Sequence, residues 1–309
     1  MERMTEVLRI LLPVMLMLGI GVLCRKKRLI DRAGIDALKT VAVQIGLPAV
    51  LLHTFAAAEY SLATLIVPLI MFLLCVLAWL LGKKLGPALG MNNRFIPFLT
   101  TGFEAGMLGY ALYTLLYGRE TLADFARIDL GQVLFVFTLY KALLGMEGPQ
   151  KPSAGQLLKD MALSPIILSI LAGVLLGVTG VYQALAPSGV SGVLDACTDF
   201  ISAPVSALIL LAIGYDLVLG DIPWREALKA AGLRLLIMAA LGALVMGLLR
   251  LCWPQACWDR AIFLMFLLPP PYVLPVFSTD EKQRVYLSSV LSLSTLAALA
   301  GFVVLAIIG

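Results

Sequence analysis

Glu104 is the residue with the clearest capacity for chemistry, because it is an acidic side chain in the middle of a long apolar stretch. Gly102, Gly106 and Gly109 surround it. A carboxylate at the centre of a bilayer costs on the order of 3 kcal/mol or more, so it must face protein or water. Glycines relax helical geometry and let backbones approach each other. We therefore expect Glu104 to line a cavity and to carry a proton or a bound cation such as Na⁺. The alternative is a purely structural pairing of this carboxylate.

A second feature is a run of prolines, Pro269, Pro270 and Pro271, inside another long apolar stretch and followed by Tyr272. Proline has no backbone N–H and fixes φ near about −65°, so three in succession end a helix. The sequence predicts an unwound segment at membrane depth. A helix that restarts after it would point its positive N-terminus into a cavity and favour an anion. Tyr272 could offer a hydroxyl to substrate or simply pack.

Other polar residues near these two segments are weaker candidates. Asp129 and Gln132 lie near the start of the next span, where solvation at the membrane edge is the simpler expectation for Asp129. Gln44 lies in the second apolar stretch and Ser202 in the seventh. The residues predicted to bind substrate or ion are Gly102, Glu104, Ala105, Gly106, Gly109, Tyr110, Pro269, Pro270, Pro271 and Tyr272, with Gln44, Asp129, Gln132 and Ser202 as weaker members.

The elements that position these residues must cross a membrane. Of the 309 residues, 61% are hydrophobic and only 14% are charged. Apolar stretches of about 20 residues suit membrane helices, and they lack the alternation of a membrane β-barrel. The connections leave no room for a soluble catalytic domain. We place ten spans at 7–24, 38–58, 61–82, 95–117, 124–145, 161–181, 190–217, 231–252, 260–278 and 286–308.

The two breaks fall in the fourth and ninth spans, which are corresponding positions in two halves of five spans each. An odd number of spans per half inverts the second half in the membrane. We therefore predict an all-α membrane protein of ten helices, built as inverted five-helix repeats over residues 1–150 and 151–309, with a seam at 148–155. Broken helices in corresponding positions of two halves point to a transporter's substrate site.

Loop charges predict the orientation of these spans. Of the Lys and Arg residues outside the predicted spans or at their ends, sixteen fall on one side and six on the other. Cytoplasmic loops retain positive charge, so both termini are expected outside the cytoplasm of a multi-pass protein, in a bacterial cytoplasmic membrane. The net charge of +4 follows from this loop bias and gives no reason to expect nucleic acid as a partner.

Enzyme activity is not expected. Ser191 lies in a Gly-x-Ser-Gly sequence of the kind found in rhomboid proteases, but the only histidine, His53, precedes it in the chain. The five cysteines fit neither a metal-binding spacing nor a disulfide framework. A Gly-x-x-x-x-Gly-Lys nucleotide loop is also missing, so ATP is not the direct energy source and no resident cofactor is expected.

A family resemblance rests on several short motifs in a common order. Positions 104–111 read Glu-Ala-Gly-Met-Leu-Gly-Tyr-Ala, Leu-Pro-Pro-Pro follows at 268–271, and Ser-Thr-Leu follows at 294–296. With the proline of span seven, these motifs resemble the auxin efflux carrier family of membrane transport proteins, which includes bacterial dicarboxylate and malonate carriers. Glu104 replaces the usual asparagine and Ala111 the usual proline. The substrate and coupling of relatives therefore do not carry over intact.

The resemblance implies that spans 1, 2, 6 and 7 form a scaffold, and that spans 3–5 and 8–10 form a transport domain with spans four and nine crossing at its centre. It also implies a homodimer through the scaffold. Our leading interpretation is a secondary transporter that moves a small organic anion by elevator-type alternating access, driven by a proton or sodium gradient or by the membrane potential. The alternatives are a sodium-coupled symporter of the bile-acid type and a non-transporting sensor on the same scaffold.

Overall fold

The protein is a multi-span helical membrane protein. A computed structural model describes residues 2–58, 60, 62–146, 153, 155, 156, 159, 162–217, 223–255, 258–278 and 280–308. The structure is 83% helical, and no strand occurs in the part of the chain that it describes. Seven helical stretches of the described chain are long and apolar enough to cross a membrane, and three of them combine consecutive helices. The predicted seam at 148–155 lies largely outside the described residues.

The described part of the first half contains eight helices and three π-helical turns, two of which join consecutive helices. They are α1 (Glu2–Lys27), α2 (Arg32–Val41), a π-helical turn (Ala42–Gly46), α3 (Leu47–Ala56), α4 (Leu62–Ala88), α5 (Ile96–Leu99), a π-helical turn (Ala105–Gly109), α6 (Tyr110–Tyr117), α7 (Leu122–Phe135), a π-helical turn (Val136–Tyr140) and α8 (Lys141–Met146).

The helices of the second half are given for its described residues from 162 onward. Its helices are α9 (Pro165–Val178), α10 (Val181–Ala184), a 3₁₀ turn (Ala186–Ser188), α11 (Val190–Ser202), α12 (Val205–Asp216), α13 (Trp224–Cys252), α14 (Asp259–Leu267), a 3₁₀ turn (Leu274–Phe277) and α15 (Glu281–Ile308). Helices lie at the positions of all ten predicted spans. The sixth predicted span is the shorter helix α9, and the fourth and ninth are interrupted.

The outer surface of the bundle is apolar along its long helices. Leu12 of α1, Leu175 of α9 and Leu236 of α13 are 62%, 64% and 70% exposed. Leucine side chains so exposed along helices of this length are normally covered by lipid tails. The exposed faces therefore agree with a membrane environment.

Glycines allow two pairs of helices to pack at backbone contact. A Cβ on Gly214 of α12 would lie 2.7 Å from the Leu18 Cα of α1. A Cβ on Gly173 of α9 would lie 2.6 Å from the Leu52 carbonyl oxygen of α3. Small residues permit this close approach in membrane bundles. The most extensive helix contacts join α1 with α12, α3 with α9, and α4 with α7.

One charged residue lies elsewhere than predicted. We count Arg234 with the loop after span seven because it lies at the edge of the predicted span 231–252, but α13 begins at Trp224, so Arg234 lies ten residues inside the helix. Its side chain is buried, with 2% exposure. The helix starts earlier than its apolar core because Arg225, Glu226 and Lys229 extend it beyond the apolar region. Arg234 therefore does not belong in the charge count that predicts orientation.

The crossing of two interrupted helices

The first interruption separates α5 from the helical segment that begins at Ala105. Gly102 adopts a left-handed φ of +67°, which glycine accepts at little cost. A Cβ at Gly102 would lie 3.0 Å from Pro271 Cγ, and one at Gly109 would lie 2.7 Å from Leu268 Cδ1. These two glycines therefore face the second interruption. Ala105 and Tyr110 are buried beside them, at 1% and 5% exposure.

The second interruption follows α14, which ends at Leu267. Leu268 is extended, with φ −63° and ψ 149°, and Pro269, Pro270 and Pro271 are all buried. No helix restarts within the predicted ninth span, so the positive helix N-terminus considered for an anion is not found there. Only a four-residue 3₁₀ turn follows, and α15 begins at Glu281. The prolines, including the one inside this turn, remove the backbone donors that a helix would need.

The two interruptions meet at Glu104. Its backbone N–H donates to the Pro269 carbonyl at 2.9 Å. Its carboxylate accepts the Tyr272 N–H at 2.6 Å and the Met107 N–H at 3.2 Å. Glu104 therefore caps the positive N-terminus of its own helical segment and also ties down the second interruption. This contact confirms that both spans are broken and touch each other. Glu104 is only partly buried.

Arg234 holds the carbonyl ends of both interrupted helices. Its Nη1 donates to the Leu99 and Thr101 carbonyls at 3.0 and 3.4 Å. Its Nη2 donates to the Gly102 and Leu268 carbonyls at 2.7 and 2.8 Å. Helix ends leave carbonyls without partners, and lipid offers none. One buried guanidinium supplies the missing donors.

Sequence reasoning missed Arg234, although a signal was present. The residue lies ten positions into an apolar helix and in helical phase with the buried Ile237, Met238 and Leu241. A cation on the buried face of a membrane helix has to have partners, which makes it a functional candidate by default.

Asp129 also differs from expectation. It is buried, at 2% exposure, and not solvated at a membrane edge. Its carboxylate accepts the Tyr110 hydroxyl at 3.0 Å and the Gln132 amide N–H at 3.1 Å. Since α7 begins at Leu122, Asp129 lies about two turns inside the helix and faces α6.

Gln132 connects this carboxylate to the first interruption. Its side-chain oxygen accepts the Phe103 N–H at 3.3 Å, and its side-chain nitrogen donates to the Phe103 carbonyl at 3.1 Å. The amide thus satisfies both backbone groups of an unwound residue. Asp129 and Gln132 therefore position the residue before Glu104, so both are part of the crossing.

The remaining predicted residues lie at its edge or outside it. Gly106 faces α3, since a Cβ there would lie 3.3 Å from Leu47 Cδ2. Gln44 is exposed on the π-helical turn between α2 and α3. Ser202 is buried and donates to the Asp199 carbonyl at 3.2 Å. Neither Gln44 nor Ser202 is brought to the crossing. The Tyr272 hydroxyl hydrogen-bonds Thr295 Oγ1 of α15 at 2.7 Å.

Two cavities approach the crossing. The first cavity, about 340 Å³, lies where α1 ends and α2 begins, and extends to Tyr272 and Thr295. We call it the basic-end cavity because Arg25, Arg32 and Lys39 line it. The opposite-end cavity, about 310 Å³, lies where α3 and α6 end, and extends to Tyr110 and Ala111. Ser202 lines the opposite-end cavity. The crossing residues Tyr272 and Tyr110 therefore face separate cavities.

Comparison with known proteins adds one relative. No family profile matches the chain. The chain is similar to an uncharacterized transporter from Methanocaldococcus jannaschii, with 24% identity over 217 residues that cover 67% of this chain and 68% of that protein. Together with the membrane-helical architecture, this similarity suggests a transporter.

Proposed function

We propose that the protein is a secondary active transporter that moves a small, carboxylate-like organic anion across the cell membrane by elevator-type alternating access. The observation that carries the proposal is the contact of two interrupted helices at Glu104, which accepts the Tyr272 N–H at 2.6 Å. Non-helical backbone at membrane depth is tolerated where it lies inside protein or lines a cavity. Transporters place substrate sites at such breaks.

The packing supports the two bodies that an elevator needs. Helix α1 packs closely on α12, which joins spans 1 and 7, and α3 packs closely on α9, which joins spans 2 and 6. These four spans are the group that we assign to the scaffold. The pair α4–α7 joins spans 3 and 5, and α13 packs on α14 and α15. We assign these to the transport domain. The full arrangement is ten helices in two inverted repeats, residues 1–150 and 151–309.

The basic-end cavity is proposed to face the cytoplasm. Arg25, Lys26 and Lys27 end α1 on that side, and cytoplasmic ends of membrane helices are enriched in such residues. Both termini then lie outside the cytoplasm of the cytoplasmic membrane. We also propose that two copies of the chain form a homodimer through the scaffold, and this part of the proposal rests only on the family resemblance.

Glu104 is proposed to couple transport to a proton or Na⁺. A partly accessible carboxylate between two cavities can exchange its counter-ion as access alternates. The site does not require a resident cofactor in this mechanism.

The test is flux into proteoliposomes. Radiolabelled carboxylates and amino acids are offered under imposed proton, sodium and electrical gradients. We expect uptake that follows one gradient, and Glu104→Gln should lower the rate at least about tenfold and abolish the gradient dependence. Glu226→Gln, which changes an exposed residue in the first turn of α13, is the matched control. Unchanged rate and ion dependence in Glu104→Gln would contradict the proposal.

The same assay separates the alternatives. Uptake that requires sodium and loses that requirement in Glu104→Gln would favour a symporter of the bile-acid type. Saturable binding without flux under any gradient would favour a membrane sensor.

A further inference from the structure

Several donors of the crossing are already occupied. The N–H groups of Met107 and Tyr272 both donate to Glu104. The terminal nitrogens of Arg234 donate to four carbonyls. An ionised Glu104 at the crossing would repel an arriving anion, because two like charges a few ångströms apart repel each other.

The basic-end cavity has the opposite character. Arg25, Arg32 and Lys39 line it, with Asp216 as the one acidic residue among its described lining. These four residues belong to α1, α2 and α12 of the proposed scaffold. The facing wall belongs to the proposed transport domain and contains Tyr272.

The cations of this cavity differ in how they are paired. The Asp216 carboxylate contacts Lys39 Nζ and also accepts a hydrogen bond from Arg32 Nη1 at 2.6 Å. Arg32 Nε also reaches Asp36, outside the cavity lining, at 3.1 Å. Within the described part of the chain, the Arg25 guanidinium, which is half-buried, has neither an ion pair nor a hydrogen bond. Arg25 is therefore the cation available to a ligand, and Lys39 is held by a competing carboxylate.

We propose that the anionic group of the substrate binds in the basic-end cavity beside the crossing, on Arg25 and on Lys39 shared with Asp216. The inference rests on the proposed transport function and names where that function recognises charge. Guanidinium and ammonium groups form strong charge-assisted hydrogen bonds with carboxylates. An anion in this cavity contacts the scaffold on one side and Tyr272 on the other. Its binding therefore reaches Glu104 through the backbone N–H of Tyr272, which donates to the Glu104 carboxylate.

The first test measures binding by the detergent-purified full chain. The probes are succinate, succinamate and succinamide, which have similar size and carry two, one and no negative charges. Stabilisation against heat is followed at constant ionic strength. We expect the order succinate, succinamate, succinamide, and a loss of about tenfold in succinate affinity in Arg25→Gln. Lys26→Gln removes the same charge one residue away, outside the cavity lining, and should leave affinity unchanged.

The second test predicts a change of opposite sign. Asp216→Asn leaves Asp36 as the carboxylate partner of both Lys39 and Arg32 and removes the competing charge from the cavity lining, so succinate should bind several times more tightly. A merely structural role for the cluster would weaken binding instead. The melting temperature without ligand is recorded for each variant, which separates any loss of α2–α12 packing from the change in affinity.

The outcomes distinguish this inference from the proposed function. Flux with an unchanged KM in Arg25→Gln and Asp216→Asn would overturn the inference while leaving transport intact. Charge-ordered binding that depends on Arg25, without flux, would support the cavity and contradict transport. Equal stabilisation by the three probes would overturn the inference outright.

Discussion

Arg234 shows how a single residue can make two broken helices compatible with a membrane. Its guanidinium bonds carbonyls from both interruptions, at Leu99, Thr101, Gly102 and Leu268. The planar fork of arginine presents several donors in fixed directions, whereas lysine presents three from one atom. The side chain therefore compensates for backbone bonds that the unwound segments have lost.

Replacing Arg234 should destabilise the fold. Arg234→Met strands several buried carbonyls, and we expect a loss of about 3–5 kcal/mol in the free energy of unfolding. Arg234→Lys should recover only part of it. Thermal unfolding in detergent measures both variants. Leu236→Ala, two residues away on the lipid-facing side at 70% exposure, is the control and should change stability by about 0.5 kcal/mol or less. Equal melting of Arg234→Met and parent would show that the carbonyls have other partners.

The sequence located the reactive carboxylate but not its surroundings. Glu104 and the Pro269–Pro271 run were found because an acidic residue and a proline run in apolar stretches violate local rules for a membrane helix. Asp129 is expected at the membrane edge because it lies near the start of its predicted span. Position along a span does not tell which side of the helix a residue faces, and that side decides its burial. The apolar pattern alone sets the start of the predicted span 231–252, so Arg234 falls at its edge and is counted with the adjoining loop.

At the scale of elements, apolar stretches located the helices well but not their internal irregularities. The predicted span 38–58 is α2 and α3 joined through a π-helical turn, and 124–145 contains another such turn. These turns lie in stretches whose composition does not differ from ordinary membrane helix. The predicted ninth span extends to residue 278, whereas the structure has only a short 3₁₀ turn after Pro271.

Gly102 is the position where the geometry of the first interruption is set. Gly102→Ala places a side chain at φ +67° and a Cβ 3.0 Å from Pro271 Cγ. The left-handed conformation alone costs about 1–2 kcal/mol for a residue with a Cβ. We expect a lower melting temperature and a larger proportional loss of flux, because the two interruptions are pushed apart at Glu104.

The matched control for that substitution is Gly232→Ala. Gly232 lies within α13, and a Cβ there meets nothing within 4 Å. Alanine in a helix interior is favoured over glycine by about 0.5–1 kcal/mol, so this variant should melt slightly higher and retain flux. A Gly102→Ala protein that behaves like Gly232→Ala would show that the crossing tolerates a different backbone path.

At the scale of the whole molecule, the proposed transport domain and scaffold have a specific charged contact at one end. Arg119, in the turn between α6 and α7, pairs with Asp199 of α11. Both residues line the opposite-end cavity. Relative movement of the two bodies has to separate them. Exposed ion pairs contribute about 0.2–1 kcal/mol, which is small for folding but sufficient to bias two conformations of similar energy.

Breaking this pair should therefore alter access more than stability. Asp199→Asn removes an interaction of up to about 1 kcal/mol between the two walls of the cavity. The open conformation should then be up to about fivefold more populated, and a residue behind the walls should be labelled faster by the same factor. The reporter is Thr114→Cys, which lines the same cavity, with Cys197, Cys252 and Cys257 replaced by serine. Its reaction rate with a membrane-impermeant maleimide is the measurement.

The control is an ion pair of similar exposure inside one body. Arg250 and Asp259 join α13 to α14 at 2.7 Å, both within the proposed transport domain. Asp259→Asn should leave the labelling rate of Thr114→Cys unchanged, because no boundary between bodies is crossed. If both variants change the rate equally, the boundary does not run between the α6–α7 turn and α11. The proposed division into scaffold and transport domain would then have to be redrawn.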